Sequence, residues 1–175
     1  MAINSKRKGN KFELAISKWL TQWTGYKFQR TPYSGANHFN RELASDIMCA
    51  DPKHQFRCKI SVECKSYKDI KFEHILLGNK GSEINKFWAQ ASRDAKRAGK
   101  APILCMRYNA MPKNEFFFVI SAEYALPFYK LMSEPHFSIT LGDDEGSLLL
   151  VFMASKVLAN VSYKELHKII KERLK

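Results

Sequence analysis

Within the run RCKISVECKS, residues 57–66, apolar and polar side chains alternate. Successive residues of a strand point to opposite faces, so Ile60, Val62 and Cys64 share one face while Ser61, Glu63 and Lys65 share the other. One face must then be covered by a second layer of apolar structure, and the other carries a carboxylate and an ammonium side by side. The preceding run SDIMCA, residues 45–50, is also strand-like, and DPKHQF between the two has the Asp-Pro and polar content of a turn. The two runs therefore form adjacent antiparallel strands.

Helical periodicity surrounds this pair. Residues 8–23 place Phe12, Ala15, Ile16, Trp19, Leu20 and Trp23 on one helical stripe, ended by Gly25. A short strand at 26–30 leads into a loop rich in Pro, Ser, Gly and Asn, a candidate site element. A second amphipathic helix spans 83–98, with Ile84, Phe87, Trp88, Ala91 and Ala95 on its apolar face and Gly99 closing it. The near-continuous apolar runs 102–108 and 115–121 read as strands buried on both faces. Residues 121–132 read as a helix that Pro127 kinks or restarts. FSITL and SLLLVFM form a hairpin across GDDEG, and YKELHKIIKERL is a closing helix capped by Ser162. The order predicts an α/β domain with a mixed sheet flanked by helices. One domain accounts for residues 1–175, with a core at about 6–121 and a C-terminal elaboration at 122–175.

Twenty-nine Lys and Arg against 17 Asp and Glu give a formal charge of +12, spread from Lys6 to Lys175. Such a field favours a polyanion such as nucleic acid, or an anionic membrane surface, although many of these lysines serve only to solvate the surface. No apolar run approaches the roughly 18 residues of a membrane span, and no apolar segment follows the basic start, so the expectation is a soluble cytoplasmic protein. Cys49, Cys58, Cys64 and Cys105 lack the spacing of a zinc site and read as buried free thiols.

The pair of strands also carries the candidate chemistry. Cleaving a phosphodiester requires charge neutralised at the phosphate, a water activated and a leaving oxyanion stabilised, and carboxylate-held Mg2+ can supply all three. Asp46 at the start of one strand and Glu63 near the end of its neighbour can meet across the pair, with Lys65 on the same face as Glu63. An acid two residues before a lysine occurs four times in the chain, and only Glu63/Lys65 lies in an apolar strand behind another acid-bearing strand. From these residues alone, a surface ion pair on an edge strand and a site both remain open.

The arrangement SDIMCA followed by VECKS resembles the PD-(D/E)XK nuclease superfamily, in which an acid on one strand and E-x-K on the next form the metal site. Ser45 stands where the superfamily has its leading proline, a position that varies among members. The start KRKGNKFE is similar to the R-K-G-x-x-x-E pattern of Holliday-junction resolvases within that superfamily, which implies that Glu13 joins the acidic site. Glu13 also lies beside the apolar arc of the first helix, close in angle to Leu20, although a first-turn glutamate is favoured by the helix dipole alone. RTPYSG, residues 30–35, resembles the resolvase R-x-P-x-S-G loop and matches Ser34 to its serine near the scissile phosphate. FWAQASRDAKRAGKAPILCMRY resembles the helix and strand after E-x-K, with Gln90 matching a glutamine that holds the lysine or the water. The resemblance covers about residues 6–108.

It implies a restriction-endonuclease-like fold and a Mg2+-dependent, structure-selective DNA endonuclease, with Mn2+ a plausible substitute. The implied ligands are Asp46, Glu63, the Cys64 carbonyl and Glu13, with Lys65 acting on the nucleophile. Lys6, Arg7, Lys8, Lys11, Arg30 and Arg41 lie close in sequence to these residues and are candidates for tracking phosphates. Tyr33, Phe39 and Tyr67 are candidates for base stacking, although core or loop packing is the more frequent fate of such residues. A four-way junction as substrate implies a homodimer, because the junction presents two symmetric strands. Rival readings are a restriction, repair or recombination nuclease on the same motif, a non-catalytic DNA-binding protein on the same fold, and, more weakly, a basic membrane-surface protein.

Overall fold

A computed structural model describes residues 2–32, 45–68, 83–133, 138–142 and 146–175, with side chains described from residue 7 onward except in 138–142. Helix α1 (Ala2–Thr24) precedes the short strands β1 (Phe28–Arg30) and β2 (Ile47–Cys49) and the long strand β3 (Ile60–Tyr67). Helix α2 (Glu83–Ala98) leads into β4 (Ala101–Tyr108) and β5 (Phe117–Ser121). After two 3-10 turns come α3 (Tyr129–Met132), β6 (Ser138–Gly142), β7 (Leu148–Met153), α4 (Ala154–Asn160) and α5 (Tyr163–Arg173).

The strands form one seven-stranded mixed sheet in the order β1-β2-β3-β4-β5-β7-β6. β3 and β4 run parallel, joined across α2, and every other pairing is antiparallel. A parallel pair needs a crossover, and the 16-residue amphipathic helix between the two strands supplies it. β6 and β7 extend this same sheet, with β7 lying against β5.

Each face of the sheet has its own apolar layer. On one, α1 buries Phe12, Ile16, Leu20 and Trp23, and α5 buries Tyr163, Leu166 and Ile170, against Ile47, Ile60, Val62 and Phe118. On the other, Ile84, Phe87 and Trp88 of α2 cover Leu104, Met106, Val119 and Val151. β4 is therefore covered on both faces, as its continuous apolar run requires. α1 ends where Gly25 adopts φ of 76°, its N–H bonded to the Thr21 carbonyl at 3.0 Å. Few residues other than glycine take that left-handed conformation without strain.

Three local expectations fail. Residues 121–132 form no continuous helix but two 3-10 turns, Ala122–Tyr124 and Leu126–Phe128, before the single turn of α3. Pro127 has no N–H to give an internal helical bond, so the chain restarts around it. α4 was not foreseen, since seven residues are too few for helical periodicity to stand out. Ser162 does occupy the position before α5, but its hydroxyl makes no cap bond.

A polar cluster fastens α5 to the β2–β3 turn. His54 is stacked on Tyr26 with ring centroids 3.9 Å apart, and its Nε2 is 2.7 Å from the Tyr163 hydroxyl. His167 hydrogen-bonds the Arg57 carbonyl at 2.9 Å. Burial lowers both imidazole pKa values, with the His167 charge also lowering that of His54. A lowered value in the folded chain means that the unfolded chain binds the proton more readily. The stability these histidines contribute is therefore complete above their ordinary value and is lost as pH falls below it. Because Glu63 titrates in the opposite sense over the same range, the histidine contribution is read as a difference: between about pH 7.5 and about pH 5.5 wild type is expected to lose melting temperature relative to His54→Gln, which does not titrate. A constant difference between the two across that range would remove His54 as a cause.

Candidate active site

The register of the β2–β3 pair sets the geometry. Ile47 pairs with Val62, and the Asp46 N–H donates to the carbonyl of that same Val62 at 3.1 Å, while the Asp46 carbonyl accepts from Thr31 on the β1 side. Asp46, immediately before β2, thus leaves the regular ladder rather than pairing with Glu63, yet its charge bears on the Glu63 carboxyl, which lies in the middle of β3 rather than near its end. Asp46 turns its Oδ2 to accept the Cys64 N–H at 2.8 Å. Because the N–H and C=O of a strand residue point to the same side, the Cys64 carbonyl also faces Asp46.

Glu63, Lys65 and Gln90 close a triangle. Lys65 Nζ donates to Glu63 Oε1 at 2.7 Å and to the Gln90 carboxamide oxygen at 3.0 Å, while the Gln90 amide donates to Glu63 Oε1 at 2.9 Å. Gln90 reaches the pair from α2, so the crossover helix both covers the sheet and holds the charged face of β3. The Lys65 ammonium also lies 5.7 Å from the ring centre of Phe87, one turn before Gln90.

The charges are strained by burial. The Glu63 side chain is 6% exposed and that of Lys65 is 18% exposed. Burial, with the charge of Asp46 behind it, pushes the Glu63 carboxyl up to about 7 despite the bond from Lys65. Burial alone would lower the Lys65 pKa, but the charge and hydrogen bond of Glu63, helped by Asp46, outweigh it and leave the net value raised. Lys65 therefore remains an ammonium at neutral pH. It can donate hydrogen bonds and offset negative charge, but it does not serve as a proton acceptor.

Glu13 stands on the neighbouring helix, turned toward Arg30, whose Nε donates to Glu13 Oε2 at 2.7 Å. Arg30 is also bonded to the Asn10 side-chain oxygen at 2.8 Å. Asn10 was not singled out from sequence, although its place three residues before Glu13 puts both on one side of α1. The start of the loop after β1 is tied to the same corner, with Thr31 N–H donating to the Asp46 carbonyl at 2.9 Å. Cys64 is half-buried, and loss of solvation at its thiol, then the neighbouring Cys105 and the charges of Asp46, Glu63 and Glu13, hold it well above its usual range.

Of the basic residues, Arg7, Lys8 and Lys11 are exposed along α1. Ser34, Arg41, Tyr33 and Phe39 lie outside the described residues, as does the side chain of Lys6. Tyr67, 37% exposed, packs against Phe87 with ring centroids 4.8 Å apart. All four cysteines are free thiols.

The donor set suits a hard divalent cation. Two facing carboxylates, one with its ionised form disfavoured by burial and by the other, are what a cation between them would relieve. Among the described residues no group of three or more His, Cys, Asp and Glu is close enough to hold an ion. Asp46, Glu63 and the Cys64 carbonyl are the oxygen donors that could hold such an ion, with water completing its shell.

An acid beside one strand facing E-x-K on the next, on a mixed sheet with a crossover helix, is the geometry that the motif resemblance called for. A family model described as "Phage putative PDDEXK endonuclease" matches residues 4–164. The chain belongs to the phage PDDEXK endonuclease family. The PDDEXK match extends well past residue 108, through β7 and α4, so the C-terminal strands are part of what the family shares. Protein D14 of Escherichia phage T5 is 29% identical to this PDDEXK chain over 146 residues, covering 83% of the chain and 88% of Protein D14. No solved structure matches it. Members of the PDDEXK group are nucleases that use divalent metal ions, and DNA is the substrate the family implies.

Proposed function

We propose that this PDDEXK protein is a Mg2+-dependent endodeoxyribonuclease that resolves four-way DNA junctions as a homodimer. The observation that carries the nuclease chemistry is the Glu63–Lys65–Gln90 triangle facing Asp46 across the β2–β3 pair. The junction preference is supported by KRKGNKFE and RTPYSG, the two segments similar to resolvase motifs. The homodimer follows from the substrate, since a twofold pair of sites matches the two symmetric strands of a junction.

Asp46 and Glu63, with the Cys64 carbonyl, would hold the cation. When bound, the cation neutralises phosphate charge and lowers the pKa of water. Asp46 is held by the Cys64 N–H and Glu63 by Lys65 and Gln90, so both carboxylates are oriented before substrate arrives. Lys65, fixed by Gln90, donates to the attacking water or to a non-bridging phosphate oxygen and offsets the charge that develops there. Hydrolysis forms a bond from the water oxygen to phosphorus and breaks the bond from phosphorus to the 3′ oxygen. The products are a 5′-phosphate and a 3′-hydroxyl, the 3′ oxygen taking up a proton as it leaves.

The test is to incubate the protein and its Glu63→Gln variant with labelled four-way junction, linear duplex and single strands, in Mg2+ and in EDTA. Paired nicks on the junction, dependent on Mg2+ and absent from the variant, are the expected result. Equal cutting of all three substrates would overturn the junction preference and leave a general PDDEXK nuclease. Retardation of DNA without any cutting would leave a DNA-binding protein on a nuclease fold.

A further inference from the structure

The β2–β3 turn carries an exposed aromatic among cations at the end of β3 remote from Lys65. Phe56 is 80% exposed, the most exposed large apolar side chain among the described residues, and Arg57 follows it. Lys59 and Lys100 stand side by side just before β3 and β4, since Ile60 pairs with Ala101 in the parallel register. Phe56, Lys59 and Lys100 share the wall of a 220 Å³ cavity. On the other side of the turn α5 buries Tyr163, Leu166 and Ile170 inward and presents Lys164, Lys168 and Lys171 outward, with Lys175 exposed just past its end. These four lysines, with His167 and Glu172, line a second concavity of 320 Å³.

The two concavities belong to one surface. His167 is bonded to the Arg57 carbonyl, and the charges of both Lys171 and Lys59 bear on its ring. The described residues give none of these lysines an ion-pair partner. Six lysines and an arginine from three parts of the fold therefore converge without an ion pair among the described residues, and outnumber the acids of the same surface, Glu172 in the lining, Glu165 on α5 and Asp51 in the turn. Uncompensated cations on this scale repel one another, and a phosphate backbone relieves that repulsion while releasing its own counterions. An exposed phenylalanine between such cations is unfavourable in water and matches the stacking platforms of single-strand-binding surfaces.

We infer that the β2–β3 turn and α5 form a second DNA-contact surface, separate from the metal site, in which the lysines engage phosphates and Phe56 stacks on an unpaired base. The choice of DNA as occupant rests on the nuclease reading above. Lys59, just before β3, is four residues from Glu63 along extended chain, roughly 13 Å or about four base steps. α5, however, lies on the opposite face of the sheet from Gln90, so the surface receives a different stretch or arm of the substrate from the one being cut.

The experiment is fluorescence anisotropy in EDTA with a short labelled single strand and the same sequence as duplex, titrated across salt concentrations. The proteins are wild type, Lys168→Gln/Lys171→Gln, Phe56→Ala and the equal-charge control Lys113→Gln/Lys130→Gln. The α5 double variant is expected to bind both probes about 10-fold more weakly near 0.1 M salt, and its log–log salt slope should shrink by about 2. Phe56→Ala should lose about fivefold or more on the single strand and little on duplex. The control should match wild type. Wild-type slope and affinity in the α5 double variant, or losses equal to those of the control, would overturn the surface. Unchanged single-strand binding by Phe56→Ala would overturn the stacking. Cleavage is scored separately: a wild type that cuts nothing but shows these binding losses refutes the nuclease reading and leaves the surface standing.

Discussion

Glu63→Gln is expected to melt at a higher temperature than wild type at about pH 8 and to lose DNA cleavage by about 10³-fold or more. Burial and Asp46 hold the Glu63 carboxyl up at about 7, above its value in the unfolded chain. A raised value means that the stability contributed by this group is complete below the unfolded pKa and is lost as pH rises through the folded one. At neutral pH and above, the folded chain therefore bears the cost of an ionised, 6%-exposed carboxylate. Each pKa unit corresponds to about 1.4 kcal/mol, and allowing for relaxation and for the lost attraction to Lys65, the gain is on the order of 2 kcal/mol. For a domain of this size that is about 4–8 °C in Tm. Gln retains an oxygen at the position that accepts from Lys65 and from Gln90, so the triangle is kept while the charge is lost. The advantage should shrink toward about pH 5, where wild-type Glu63 is itself protonated. A variant less stable than wild type at about pH 8 would show that the pairing with Lys65 outweighs burial.

Lys65→Met should shift stability the other way while also removing cleavage. The raised Lys65 value means that the ammonium is favoured in the folded state, a contribution fully present below its unfolded pKa and so at neutral pH. Removing it takes from Glu63 the cation bonded to it, beside the charge of Asp46, and takes from the Gln90 carboxamide oxygen the donor that Lys65 supplies. Breaking a fully buried ion pair from one side costs about 3–5 kcal/mol, and the partial exposure of Lys65 brings the expected loss to roughly 2 kcal/mol. Cleavage should fall by about 10²- to 10³-fold at saturating DNA, as for other charge-stabilising donors, with DNA affinity little changed. Melts of the two variants side by side, together with single-turnover cleavage, decide the matter. Equal stability changes of the same sign would mean that the triangle is not the electrostatic unit its hydrogen bonds describe.

Both substitutions fall on residues that sequence already placed in the candidate site, and the reason is periodicity. Strand alternation put Glu63 and Lys65 on one face, and the turn at DPKHQF made SDIMCA their neighbour. The second helix was legible for the same reason, a clear apolar stripe with glycine after it, and spans Glu83–Ala98 as the pattern predicts. Where no period operates, prediction fails. The Pro127 segment breaks into turns, α4 is too short to repeat, and the hydroxyl of Ser162 has a capping position but no cap bond. Family resemblance pointed to Gln90 and Glu13, but only coordinates say what each touches: Gln90 bridges Glu63 and Lys65, while Glu13 is paired with Arg30. Asn10 carried no signal, because a polar residue on a solvated stretch of helix looks the same whether or not an arginine reaches it.

Sequence by itself determined the mixed α/β architecture and the acid, E-x-K spacing, since both depend on side-chain alternation along a single segment. Tertiary structure decided the pairing of β2 with β3 that brings the Asp46 carboxylate to the Cys64 N–H and its charge to bear on Glu63, the burial that raises the Glu63 carboxyl, and the meeting of α5 with the β2–β3 turn. These depend on distances between segments far apart in the chain, and a one-residue slip in strand pairing would turn the same side chains to the opposite face.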